Sequence, residues 1–276
     1  MSALGGGSSG GEGINPTASL IALVIVLVAV AVVFLVYPAA TVPLIGVIIG
    51  GVLISFGVHF VPVGGAPAAM GQAPGIATGV AMLAAGGGLA GLFGGAWAAE
   101  FGIAISLAAG AIGGGLLMAI TCLMVNVVYV YAMGIPAASG KVDKDPITGD
   151  TFPAYKSQGT EGHGLPFISY VGGVLGGLFG GMGGTLIYYE LLQVYEEALP
   201  SVIGASTEGL TTLAVSLAGI FAVGMFLVAA VLTAYNITGT IEGPHDPKFK
   251  RWPRAVIGSS AASAVCGLFA ILLVVI

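Results

Sequence analysis

The chain has 276 residues, of which 57% are apolar and only 7% charged, with 48 glycines and a net charge of −5. A water-soluble domain carries about 25% charged residues, so this chain cannot cover a surface in water. It also has no basic patch interleaved with aromatics, which argues against a nucleic-acid partner.

Five runs carry no Asp, Glu, Lys or Arg: 13–99, 101–140, 162–189, 209–241 and 255–276. Each holds at least one membrane span of about 20 residues. A β-barrel would need alternating apolar and polar positions, whereas these runs are apolar or small on every face. The expected fold class is all-α, a polytopic transmembrane helix bundle of about seven spans.

The lead, residues 1–18, opens MSALGGGSSGGEGIN and reads as a flexible Gly/Ser segment. Residues 19–41 hold the most hydrophobic segment, Ser19–Tyr37. It has no basic flank and is longer than a signal-peptide core of about 7–15 residues, so it reads as a retained span. The six-span membrane domain, 42–276, follows. The second span of the chain, about Val42–Phe60, opens this domain and ends in HFVPVGGAPAAMGQAPG. Prolines 62, 67 and 74 rule out a regular helix there. The segment is either a loop or a re-entrant dip covered by other helices.

The third span, about Ala77–Trp97, carries Gly87, Gly91 and Gly95 at four-residue spacing, and Glu100 marks a tight turn. Residues 101–133 would make one helix of roughly 50 Å, longer than the ~30 Å hydrocarbon core. Either it breaks at Gly113–Gly115 or its end projects from the membrane; projection is the favoured expectation. The loop 134–165 mixes Lys141, Lys144 and Lys156 with four carboxylates.

The fifth span, about Pro166–Tyr189, carries Gly172, Gly176, Gly180 and Gly184. Residues four apart stack on one helix face, so these glycines form a bare stripe for small-xxx-small packing. Residues 190–208 read as an acidic loop with Glu190, Glu196, Glu197 and Glu208, which leaves no charge in the middle of any span. The sixth span is about Gly209–Tyr235 and the last is Ala255–Ile276. Between them, 236–254 holds four of the seven cationic residues.

Lys and Arg in short loops set orientation. Loops 61–76, 134–165 and 236–254 and the N-terminus fall on the cytoplasmic side, with 190–208 and the C-terminus outside. The expected location is the cell membrane, multi-pass.

All three histidines precede a proline on the cytoplasmic side: HFVP, HGLP and HDP. GTEGHG (159–164) and GTIEGPHD (239–246) each place a carboxylate shortly before a histidine. Glu161, His163, Glu242, His245 and Asp246 therefore have the means to converge at one rim. Their functional reading is a cation vestibule or a docking surface for a soluble partner; their bland reading is solvated turn residues. Zinc is disfavoured, because paired ligand spacings are missing and Cys122 and Cys266 lie in apolar spans. No nucleotide loop, corrinoid-binding DxHxxG pattern or nucleophile triad exists. Ser106, Thr121, Asn126, Thr233 and Asn236 are the polar span residues, and their ordinary role is hydrogen bonding between helices.

Five blocks in order, GVHFVPVGGAPAAM (57–70), ATGVAMLAAG (77–86), KVDKDPITG (141–149), GTEGHGLP (159–166) and YNITGTIEGPHDPKFKR (235–251), carry a family resemblance. From about residue 44 to the C-terminus the chain resembles the D subunit of the archaeal tetrahydromethanopterin S-methyltransferase complex. The resemblance implies six family-like spans, with the N-terminal span as an extra. It further implies a role in a complex that moves a methyl group from methyl-tetrahydromethanopterin to coenzyme M and couples this to sodium export.

On that reading this chain lacks the catalytic centre. The cobamide sits on the A subunit, and the C and E subunits share the membrane part and the sodium path with it, among membrane lipid. The rim residues, with Lys248, Lys250 and Arg251 as attractors for a sulfonate, would then line the entrance for sodium or coenzyme M. A stand-alone sodium transporter and a purely structural scaffold are the competing readings.

Overall fold

A computed structural model describes residues 14–61, 88–127, 131, 155–157, 160–162, 167–204, 207–236, 249 and 251–276. Among them are seven α-helices: α1 (Pro16–Val36), α2 (Thr41–Phe60), α3 (Gly91–Trp97), α4 (Ile103–Val127), α5 (Phe167–Ile203), α6 (Thr207–Asn236) and α7 (Trp252–Val275). Six helical segments are long and apolar enough to cross a membrane: 16–36, 38–60, 103–124, 170–203, 209–236 and 252–275.

Local chemistry sets the helix ends. Asn15 caps α1 by accepting the Ala18 N–H at 3.1 Å, and Pro16 fits the first turn, where no N–H partner is needed. Pro38 stops α1 and opens a short 3₁₀ turn, Pro38–Ala40, that feeds α2. A second 3₁₀ turn, Ala99–Phe101, joins α3 to α4. Gly102, at φ +91°, supplies a backbone angle that L side chains rarely adopt.

The central element is α5, with α2 and α4 on different flanks, α6 beside it and α3 against both α4 and α5. Bare backbone faces bare backbone along these contacts. A Cβ on Gly50 would lie 2.7 Å from the Gly183 carbonyl, and one on Gly183 would strike the Gly50 carbonyl in turn. Gly57 and Gly176 make the same reciprocal contact at 2.7 Å. On the α4 flank, Gly181 and Gly177 face Gly110 and Gly114, and Gly91 of α3 lies on Gly181. The outer helix α1 packs on α7 and buries Ala22, Ala29 and Val33.

These pairings fix the two ends of the bundle. Phe60, Phe167, Asn236, Trp252 and the start of α1 share one end, the one that carries Arg251 and Arg254. The other end carries Glu100, Glu196 and Glu197. There Tyr37, at the end of α1, faces Glu197; burial first, then the hydrogen bond and charge of that carboxylate, push its phenol above the usual tyrosine range.

The structure corrects two expectations. Residues 190–203 are not a loop: α5 runs on through them for 37 residues, about 55 Å. Leu191, Leu192, Val194, Tyr195, Ala198 and Leu199 are buried at helical spacing, while Glu196 and Glu197 face outward, so periodicity outweighs the charges. Glu190 is consequently a carboxylate inside a span, 9% exposed. The expectation of an unbroken helix holds for α4, which passes Gly113–Gly115 without a break and is described as far as Val127, with 128–130 outside the described residues.

The loop ahead of α5 holds a small antiparallel hairpin, β1 (Tyr155–Ser157) and β2 (Thr160–Gly162), with Lys156 opposite Glu161. Of the third span, only 88–97 is described; Gly87 and the 62–76 segment lie outside the described residues.

Adding bulk at the α2–α5 contact should separate the helices. Gly183→Leu is expected to cost about 1–3 kcal/mol or more from overpacking. Gly219→Ala, with nothing within 4 Å of its Cβ position, is expected to be neutral or to gain up to ~1 kcal/mol from helix propensity. Thermal unfolding of both variants in one detergent checks the contrast.

Candidate functional site

Gly51, Ser55 and His59 recur every four residues on α2 and so share one face. That face meets hydroxyls from two other helices. Ser259 of α7 donates to the Gly51 carbonyl at 2.8 Å, and the side chain of Ser263 occupies the space a Cβ on Gly51 would need. Thr233 of α6 donates to Ser55 Oγ at 2.8 Å and also lies 2.8 Å from the Ala229 carbonyl. His59 Nδ1 is 2.8 Å from the Ser55 carbonyl. A carbonyl only accepts, so Nδ1 carries a proton and donates it to Ser55. Ser55, His59, Thr233 and Ser259 have no exposed surface, and Ser263 has 3%.

The result is a polar seam through the α2–α6–α7 interface, from mid-bundle to the cationic end. Aromatic rings close that end. Phe249 lies 6.1 Å from the His59 ring and 5.2 Å from Phe60, while Phe56 contacts Phe179 at 4.7 Å and Trp252 at 5.1 Å. Just beyond, Asn236 Nδ2 donates to the Arg251 carbonyl at 2.9 Å and Arg251 Nη1 donates back to the Asn236 carbonyl at 3.2 Å. This double bond of side chain to backbone ties the C-terminus of α6 to the N-terminus of α7.

Glu190 of α5 meets the other flank of α2, opposite Gly46. A Cβ on Gly46 would come within 2.6–2.7 Å of its Cγ, Cδ and Oε1, so only a glycine leaves room for the carboxylate. Among the described residues Glu190 is the single buried acid. Two further hydroxyls stitch α3 to its neighbours: Thr185 to the Gly91 carbonyl at 3.1 Å and Ser106 to the Gly95 carbonyl at 2.7 Å.

Of the rim residues, Glu161 lies in β2, and His163, Glu242, His245, Asp246 and Lys248 lie outside the described residues, as does Lys250. Asn236 and Phe249, the described residues on either side of 237–248, lie at the aromatic-capped end. Arg251 is committed to Asn236. Gly172 and Gly176 lie against Phe60 and Gly57 of α2 and Val61 just past its end, and Gly57 also meets Gly180. Gly184 has turned toward Phe226 of α6, 3.2 Å from its Cβ position. Gly91 and Gly95 lie on Gly181 and Thr185 of α5.

Thr121 bonds within its own helix, to Leu117 at 2.7 Å. The Asn126 side chain lies outside the described residues. Among the described residues no three His, Cys, Asp or Glu side chains converge. Sequence reasoning passed over Ser55, Ser259, Ser263, Thr185 and Glu190; the four-residue spacing of Gly51, Ser55 and His59, and of Ser259 and Ser263, was the available signal.

Residues 40–263 match the family model that describes the D subunit of tetrahydromethanopterin S-methyltransferase. The chain is 50% identical over 225 residues to the protein of that name from Methanosarcina barkeri, covering 81% of this chain and 90% of the relative. The Methanopyrus kandleri relative is 48% identical over 227 residues, 82% and 94% of the two chains. The Methanocaldococcus jannaschii relative is 41% identical over 242 residues, 86% and 98%. Helix α1 precedes the span matched by the family model.

A double-mutant cycle tests the seam's energetics. Ser55→Ala and Thr233→Val are expected to couple by about 0.6 kcal/mol, the usual size of a hydrogen bond between membrane helices. Reversible unfolding of the two single variants and the double variant gives that value.

Proposed function

The chain belongs to the D-subunit family of tetrahydromethanopterin S-methyltransferase, and from that premise we propose that it is a membrane-integral component of the methyltransferase complex. In this reading it forms one wall of the sodium path coupled to methyl transfer from methyl-tetrahydromethanopterin to coenzyme M. The methyl-carrying cobamide belongs to the A subunit, and the C and E subunits supply the facing walls.

The observation that carries the reading is Glu190, a buried carboxylate seated in a niche that Gly46 keeps open, on a helix whose Glu196 and Glu197 face outward. An ionisable side chain at membrane depth is costly and commonly marks an ion path. Carboxylate, hydroxyl and carbonyl oxygens are the donors a hard cation accepts in place of water. Glu190 supplies the charge, and the seam from Gly51 to His59 supplies neutral oxygens on the other flank of α2. The sharing of the path fits the outward faces of α3 and α4, where Phe93, Trp97, Ile112, Leu116 and Ile120 are exposed. Such faces suit either lipid or neighbouring subunits.

The end carrying Arg251 and Arg254 is cytoplasmic in this reading, because cationic residues favour that side. The N-terminus of α1 and the loops 61–76, 134–165 and 236–254 then share the cytoplasm, and Glu100, Glu196 and Glu197 face outside. Glu161, His163, Glu242, His245, Asp246 and Lys248 belong to the cytoplasmic entrance for sodium or coenzyme M.

The test is sodium-coupled methyl transfer to coenzyme M in vesicles holding the assembled complex. Glu190→Gln is expected to raise the sodium concentration for half-maximal rate by about tenfold, the equivalent of ~1.4 kcal/mol of lost binding, with the composition of the complex unchanged. An unaltered sodium dependence would remove Glu190 from the path and reduce the chain to a scaffold. Glu242→Gln, assayed alongside, is expected to change coupling only if the rim serves as the entrance; normal coupling strikes it from the site.

A further inference from the structure

A groove of about 1010 Å³ opens between the N-terminus of α1, the C-terminal end of α6 and the first turns of α7. We propose that it holds a membrane lipid with an anionic phosphate headgroup beside Arg254, its chains lying along α1 and α7. The inference needs only that the chain spans a bilayer. It is independent of the sodium reading.

The wall chemistry divides by depth. Near the mouth the polar groups are Asn15, Ser19, Tyr235, Asn236 and Arg254, set among Ile14, Pro16 and Ala18. Deeper in, Ala22, Leu232, Ile257 and Gly258 form an apolar part with two small residues that leave width for a hydrocarbon chain. Among the described residues lining the groove, Arg254 carries the one formal charge, and it is positive.

Depth agrees with this division. Tyr235, which lines the groove, is 77% exposed, and Trp252, its ring against Phe56, lies at the same end of the bundle at 38%. Tyr and Trp favour the headgroup level, which puts Arg254 among phosphates and the apolar floor among acyl or isoprenoid chains. A basic pocket between membrane helices is the usual form of an anionic-headgroup site.

The groove wall is also firm. Asn236 and Arg251 bond each other's backbone, fixing the α6–α7 corner, with Arg254 about one turn further along α7. The third wall, α1, starts rigidly at the Asn15 cap, reinforced by the Ser19 hydroxyl bonding the Asn15 carbonyl at 2.8 Å. Because α1 precedes the family-matched span, a site with this third wall is built from a segment outside the family pattern.

The experiment uses the full chain, purified in a neutral detergent and titrated with phosphatidylglycerol, phosphatidylcholine or inorganic phosphate. Native mass spectrometry and thermal unfolding are the readouts. The expected result is one retained phosphatidylglycerol per chain and a raised Tm, with neither produced by phosphatidylcholine or inorganic phosphate. Arg254→Gln should weaken retention about fivefold, the effect of one cation near anionic lipid. Ala18→Phe, which fills the groove and leaves the arginine in place, should abolish it. Equal retention by wild type and both variants overturns the proposal, as does a matching effect of phosphatidylcholine or of phosphate alone.

Discussion

The contact on which everything else depends is backbone against backbone where α5 crosses α2 and α4. In a bilayer, helix association gains nothing from excluding water, because lipid tails are as apolar as leucine side chains. Attraction must come from close packing, and close packing demands small residues at the crossing. Gly50 with Gly183, Gly57 with Gly176 and Gly110 with Gly181 meet that demand. Once α2 and α5 approach to backbone contact, their flanks come within reach of α6, α7 and α3. The hydroxyls of Thr233, Ser259 and Thr185 can then bond carbonyls or hydroxyls on a neighbouring helix.

The same closeness explains why the polar groups sit where they do. A helix backbone normally hides its carbonyls behind side chains. At Gly51 and Gly91 the missing Cβ exposes the carbonyl to a second donor, and a serine or threonine from a neighbour takes it. Gly46 uses the freed space differently, housing the Glu190 carboxylate rather than a hydroxyl. Glycine in this fold is thus both the packing surface and the means by which polar side chains enter the membrane interior.

Much of this was legible in the sequence. The apolar runs fixed the class, and the four-residue glycine spacing pointed to the face of α5 that meets α2. The glycine stripe was legible only in part, because 3.6 residues per turn rotates a four-residue repeat around the helix. By Gly184 it has moved from α2 to Phe226 of α6. The acidic stretch after Tyr189 misled for a related reason. Charges read as an end to the span, yet the buried Leu191, Val194, Tyr195 and Ala198 carry the helix on, and Glu190 with it. The seam was hidden for a different cause: Ser55, Thr233 and Ser259 are unremarkable singly, and become a feature only when three helices bring them together.

The outer helix shows how a bundle of this kind can be extended with few new contacts. Helices α2 to α7 already satisfy one another through glycine and hydroxyl contacts, and the family match begins only at residue 40. Helix α1 therefore adds to a finished structure. It needs little more than Ala22, Ala29 and Val33 against α7, because its Val- and Leu-rich outer face is already at home in lipid. Its two ends do more than its middle. At the acidic end Tyr37 meets Glu197 of the overlong α5. At the cationic end Asn15 and Ser19 wall a groove with Arg254. A helix held by small residues along its length and by polar groups at its tips is fixed in depth as well as in place. That fixed depth is what allows an added span to build a site at the headgroup level.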